Sequence, residues 1–141
     1  MSKSQDFVAV AGRVLLGVLF FSSGLSKIAD PAATQAYIAS VGLPAPELSY
    51  FASLAVEVLG SLLLVFGYRV RAVAVGMALF TLATALVFHK NFADQNQMIH
   101  FMKNIAIIGG LLQVAAFGGG RFSLDARRAP RAPAAQSPVA A

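Results

Sequence analysis

Apolar residues gather into four blocks, over about residues 7–27, 48–67, 70–88 and 101–118, and the polar interruptions between them are short. Each block is near the ~20 residues that a helix needs to cross the hydrocarbon core of a bilayer. The pattern therefore predicts an all-α protein, an integral membrane four-helix bundle. Between the first two blocks, Asp30 followed by Pro31 reads as an N-cap with proline at the first helical position, and Gly42 as the stop. This predicts a short extramembrane helix whose Ala33, Tyr37, Ile38 and Val41 lie along the interface or cap the bundle. Leu43-Pro44-Ala45-Pro46 then turns the chain back. Gly67-Tyr68-Arg69 is a tight turn, so the second and third spans are expected to be antiparallel neighbours. One transmembrane domain, residues 1–123, is expected, followed by a basic, Ala/Pro-rich tail over 124–141 with the composition of a disordered segment.

Composition agrees with a membrane rather than an aqueous core. The chain is 57% hydrophobic and only 12% charged, roughly half the ~25% charged fraction of soluble domains. The first block follows Lys3 as a secretory signal would, but it is longer than the ~7–15 apolar residues of such a signal and lacks a clean cleavage site, so it reads as retained. Cysteine is absent, which removes disulfides, thiolate catalysis, cysteine-bound zinc and iron–sulfur clusters. The net charge of +5 is distributed by position. Lys3, Arg69, Arg71, Arg121, Arg127, Arg128 and Arg131 fall at one end of a four-span bundle, whereas the loops at the other end hold Lys27 and Lys90. The positive-inside rule then predicts that both termini are cytoplasmic. The same distribution points to a lipid bilayer as the partner of the basic residues, with no nucleic acid.

Polar residues inside apolar spans are expensive and normally face the bundle interior. In the first span Arg13, Gly17, Phe20, Gly24 and Lys27 recur at spacings of four and three, one helical face, and its glycines invite close approach of another helix. In the second span Tyr50, Ser53, Glu57, Gly60 and Leu64 share a face. Counting from the span ends puts Glu57 near mid-membrane and Arg13 within ~6 Å of it in depth, which predicts an Arg13–Glu57 ion pair. Lys103 and Asn104 lie near the outer end of the fourth span and Gln113 deeper. Lys27, His89, His100 and Lys103 gather toward that outer end with Asn91, Asn96, Asn104 and Gln97, a set of donors suited to a polar or anionic head group. The alternatives are bland: a register-fixing ion pair, lysines that anchor at the interface, and solvated loop histidines. Two histidines fall short of a recognisable metal site, even with Met98 and Met102 nearby, so no metal is assigned.

The run RVLLGVLFFSSGLSKIADP from Arg13 to Pro31, then GLPAPELSYFASLAVEVLGSLLLVFGYRVR from Gly42 to Arg71, and NFADQNQMIHFMKNIAIIGGLL beginning at Asn91, resembles the pattern of the DoxX family. The family pattern falls on Arg13, Gly17, Phe20, Gly24, Lys27, Pro44, Glu57, Gly60, His89, Lys103, Asn104, Gly109 and Gly110. The resemblance implies a bacterial inner-membrane protein of four helices, linked to membrane redox systems and quinone-coupled oxidation. On that basis the expected site residues are Arg13, Lys27, Glu57, His89, Lys103 and Asn104, with Gly17, Gly24, Gly60, Gly109 and Gly110 as helix-packing positions. The implied role is an accessory subunit, at most oxidoreductase-associated, that holds a quinone or small substrate in a polar intramembrane cleft. Small-molecule or proton transport is one alternative. A structural or assembly factor for partner membrane subunits, or a homo-oligomer, is another.

Overall fold

The computed structural model of the protein describes residues 2–128. Its elements are α1 (Lys3–Ala29), α2 (Pro31–Ser40), α3 (Pro46–Leu54), a π-helical segment (Ala55–Gly60), α4 (Ser61–Phe66), α5 (Val70–Phe88), α6 (Gln95–Phe117) and α7 (Leu124–Arg128). The segment Pro46–Phe66 runs as one helix, so α1, α3–α4, α5 and α6 are four helices long and apolar enough to span a membrane. The short helix expected after the first span is α2, begun by Asp30, whose carboxylate accepts the Ala33 amide at 3.0 Å with Pro31 behind it.

The spans run past the apolar blocks because their ends are capped by polar residues. Ser2 and Gln5 form a reciprocal capping box that starts α1 at Lys3. Asp94 accepts the Asn96 amide at 2.8 Å, so the amide-rich stretch from Gln95, expected as loop, is the first turns of α6. Between α4 and α5, Gly67 takes φ 72°, and the bonds Gly67 N to Leu64 O (3.2 Å) and Tyr68 N to Leu63 O (3.0 Å) close the helix in the manner of a Schellman turn. A side chain at Gly67 would also collide with Arg13 and Ser123, so the position is fixed by conformation and by space.

α1 packs along α3–α4, α5 along α6, and α2 lies against α3. Gly17 abuts Val65 and Gly24 abuts Val58, so the numbers of facing positions on α1 and the second span total 82. A small core of Phe20, Leu64, Val70, Ala74, Met77, Ala78 and Leu111 fills the middle of the bundle. Outside it Leu15, Val18, Leu59, Leu79 and Leu112 are exposed, the apolar exterior of a protein whose solvent is lipid.

The two chain ends meet. After Phe117 the chain folds back beneath the bundle, where Asp6, buried, accepts the Arg121 amide at 3.0 Å. Asp125 accepts the Arg69 and Val70 amides at 2.7 and 2.8 Å, capping α5 from a distant part of the sequence. Residues Leu124–Arg128, expected to begin a disordered tail, instead form α7. The rest of that tail lies outside the described residues.

Candidate functional site

At the end of the bundle opposite the chain termini, α1, α2, α3, α5 and α6 surround a cavity of about 680 Å³, within the ~300–1,000 Å³ of small-molecule pockets. Leu19, Phe20, Ile38, Phe80, Val87 and Ile107 make most of its wall apolar. Its polar wall is built on a break in the second span. The π-helical turn over Ala55–Gly60 adds a residue to the turn and carries Glu57 at its middle. Such bulges occur often at functional sites.

Glu57 is 5% exposed and is paired with Lys27. The Lys27 ammonium donates to both carboxylate oxygens at 2.7 Å and to Ser23 Oγ at 3.0 Å, and Ser23 Oγ donates to Glu57 at 3.1 Å. All three N–H donors of Lys27 are thereby used, and Glu57 accepts three hydrogen bonds. Tyr50 Oη donates to the Lys27 carbonyl at 3.3 Å, holding the last turn of α1.

The predicted Arg13–Glu57 pair is not formed. In the observed register position 57 faces position 25, between Ser23 and Lys27. Arg13 is twelve residues away along α1, about 18 Å at 1.5 Å per residue. The depth estimate failed because it aligned the spans by their apolar ends. Position 53 faces Ala29, so the first turns of α3 stand beyond the end of α1, against α2, and Glu57 lies only about four residues, ~6 Å, in from that end. Arg13 is 1% exposed, and its Nη1 donates to the carbonyls of Leu64 (3.1 Å) and Val65 (2.8 Å). Both carbonyls stand at the negative end of the helix dipole, where, among the described residues, the Val65 carbonyl has no backbone donor and the Leu64 carbonyl has only the capping Gly67 amide, so a buried guanidinium is well placed there. Arg13 closes the terminal end of the bundle and does not line the cavity.

The other expected site residues come together at the cavity: Lys27, Glu57, His89, Lys103 and Asn104 all line it. The hydroxyls of Ser53, Thr81 and Thr84 donate to backbone carbonyls of their own helices. His89 Nδ1 is 3.0 Å from Gln97 Oε1, and its ring stacks on His100 with centroids 5.0 Å apart. Among the described residues, Lys103 and Asn104 have no side-chain hydrogen-bond partner, and no group of three or more His, Cys, Asp or Glu side chains is placed to hold a metal. Of the packing glycines, Gly17 and Gly24 meet the second span, Gly60 meets Met77, and Gly110 meets Leu16. Gly109 has nothing within 4 Å of the place a side-chain carbon would occupy and is not at a contact. Sequence reading missed Ser23, although it stands four residues before Lys27 on the same helical face, a spacing that brings the two side chains together. It also missed Thr81 and Thr84, for which an apolar span gives no signal.

The DoxX family model matches residues 8–90, more than half of the chain. The chain belongs to the DoxX family. It is similar over nearly its whole length to two inner membrane proteins of Escherichia coli K12: YqjF, 39% identical over 125 residues that cover 89% of this chain and 95% of YqjF, and YphA, 34% identical over 129 residues that cover 88% and 92%. It is also similar to the protein named "Putative oxidoreductase CatD" of Bacillus subtilis 168, 36% identical over 87 residues, 62% of this chain and 63% of CatD. No solved structure matches the chain. The part of this DoxX chain that the family model matches holds Arg13, Lys27, Glu57 and His89, whereas Lys103 and Asn104 follow it.

Proposed function

We propose that this protein is an accessory subunit of an inner-membrane redox system that holds a quinone, or a small lipid-soluble molecule of like chemistry, in the cavity beside Glu57. The observation that carries this reading is the division of polar groups around an apolar chamber. Lys27, Ser23 and Glu57 satisfy one another, so they form a closed polar floor, while Lys103 and Asn104, without side-chain partners among the described residues, stand in the wall. An apolar ring with carbonyl acceptors at its edge suits that arrangement: the ring lies against Phe20, Phe80 and Ile107, and the carbonyl accepts from Lys103 or Asn104. The CatD relative, whose name reads "Putative oxidoreductase", adds support. The electrons belong to the ligand or a partner subunit, because these side chains carry none.

The charge distribution supports an orientation with both termini and Arg69 in the cytoplasm, so that the cavity opens toward the opposite face. A transport pathway finds less support, since Leu64, Met77 and Leu111 fill the bundle beneath the cavity. Mass spectrometry of the lipid-soluble molecules that remain with the protein after mild extraction from its native membrane tests the proposal. A quinone retained near one per chain is expected. A quinone content no higher than that of an unrelated membrane protein extracted alongside would overturn it.

A further inference from the structure

A second concavity, of about 520 Å³, lies at the terminal end of the bundle, far from the Glu57 cavity. Its wall is made by Arg69 and Arg71, the chain at Gly118–Gly119–Gly120, and Asp125. The one acid in it is engaged: both Asp125 oxygens accept backbone amides of Arg69 and Val70. The start of α5 is thus already capped, and the pocket lining carries the two arginine charges against the one carboxylate, an excess of one positive charge. Arg71 folds along the glycine turn, its Nε 3.4 Å from the place a side chain on Gly118 would occupy, so the absence of side chains there leaves room for the guanidinium. Arg121, Arg127 and Arg128 belong to the same returned chain end, where Arg128 stands over the Tyr68 ring, 4.6 Å from its centroid.

The second observation is what runs on from the pocket. Arg71, Val75, Leu79, Leu82 and Leu86 recur at spacings of four and three, so they form one face of α5, and the four apolar members are all exposed. The apolar part, Val75 to Leu86, is about 16 Å long, close to the ~15 Å of hydrocarbon in one leaflet. Phe117, also exposed, borders the pocket from α6. A basic pocket at the head of an apolar stripe of acyl-chain length has the polarity of a phospholipid with an anionic head.

We infer that Arg69 and Arg71 form a binding site for the phosphate of an anionic phospholipid, whose acyl chain lies along the Val75–Leu86 face of α5. The phosphodiester is held by the guanidinium groups, which suit phosphate oxygens in geometry and charge. The site is independent of the Glu57 cavity and of any ligand bound there.

Native mass spectrometry of the full chain, released from micelles carrying defined lipids, tests the site. The wild-type protein is expected to retain one phosphatidylglycerol in preference to phosphatidylcholine by roughly tenfold, the equivalent of about 1.4 kcal/mol. Arg69→Gln with Arg71→Gln should abolish the preference, and Lys90→Gln, at the opposite end, should not alter it. Ala72→Trp fills the mouth of the pocket without removing charge, so it should also displace the lipid. Excess inorganic phosphate should compete weakly. Displacement of phosphatidylglycerol by millimolar phosphate would assign the pocket to a soluble anion and overturn the lipid assignment. Equal retention of both lipids by the wild-type protein would overturn the site altogether.

Discussion

The Lys27–Glu57 pair should hold α1 to the second span, and its worth can be read from a mutant cycle. Lys27→Met leaves the Glu57 carboxylate buried with Ser23 as its remaining side-chain donor. Removing one partner of a buried pair costs about 3–5 kcal/mol. Lys27 has a quarter of its side chain exposed, where water can screen the pair, which places the expected loss near the lower bound, about 3 kcal/mol. Glu57→Met leaves the ammonium, which can turn outward, so that its loss should be smaller, about 1–2 kcal/mol. The double change removes both charges and substitutes apolar side chains of similar length, so it should lie within about 1 kcal/mol of the wild type. The coupling is then about 3–5 kcal/mol. Unfolding of detergent-solubilised protein by SDS titration, followed by circular dichroism, measures each variant. A parallel cycle with Arg13→Met and Glu57→Met should be additive to about 0.5 kcal/mol, because the two side chains serve opposite ends of the bundle. Coupling under ~0.5 kcal/mol between Lys27 and Glu57, or a large coupling between Arg13 and Glu57, would refute the register and the pairing derived from it.

Other outcomes follow from the same contacts. Gly17→Ala drives a methyl group into Val65 and should cost about 1–3 kcal/mol in the same titration, whereas Gly109→Ala meets nothing and should be neutral or mildly stabilising. Arg13→Gln withdraws a charged donor from the Leu64 and Val65 carbonyls, with a loss of roughly 2–3 kcal/mol expected, and faster hydrogen exchange in the last turn of α4 is the local readout. Asp125→Ala should cost about 1 kcal/mol and speed exchange of the Arg69 and Val70 amides, as loss of a helix cap does. Reporter fusions at Gly42 and Arg128 should place the first outside the cytoplasm and the second within it. A cytoplasmic Gly42 would reverse the orientation.

The four spans and α2 were legible because they rest on local signals: runs of membrane length, Asp30-Pro31 at a helix start, and Gly67 at a helix stop. The inward face of α1 was legible too, since Arg13, Gly17, Phe20 and Gly24 are all buried at the spacing the sequence displays. Inter-helix register was not. It depends on how far α3 overshoots α1 to pack on α2, and no residue within either span encodes that distance. The π-helical turn at Glu57 left no mark in the apolar run that contains it. Asp6 and Asp125 stand in no motif of the sequence, yet both accept backbone amides distant in sequence, a pairing that only the returned chain end creates.

The central claim, that the cavity beside Glu57 holds a quinone-like molecule through Lys103 and Asn104, is tested most directly by equilibrium binding of a short-chain quinone to the purified protein in nanodiscs. Saturable binding of one molecule per chain is expected. Lys103→Ala with Asn104→Ala should weaken it by roughly tenfold or more, and Thr84→Trp, which fills the chamber, should abolish it. Lys90→Ala should leave it unchanged. Uptake that rises without saturation, or that persists undiminished in the Thr84→Trp protein, would contradict the account.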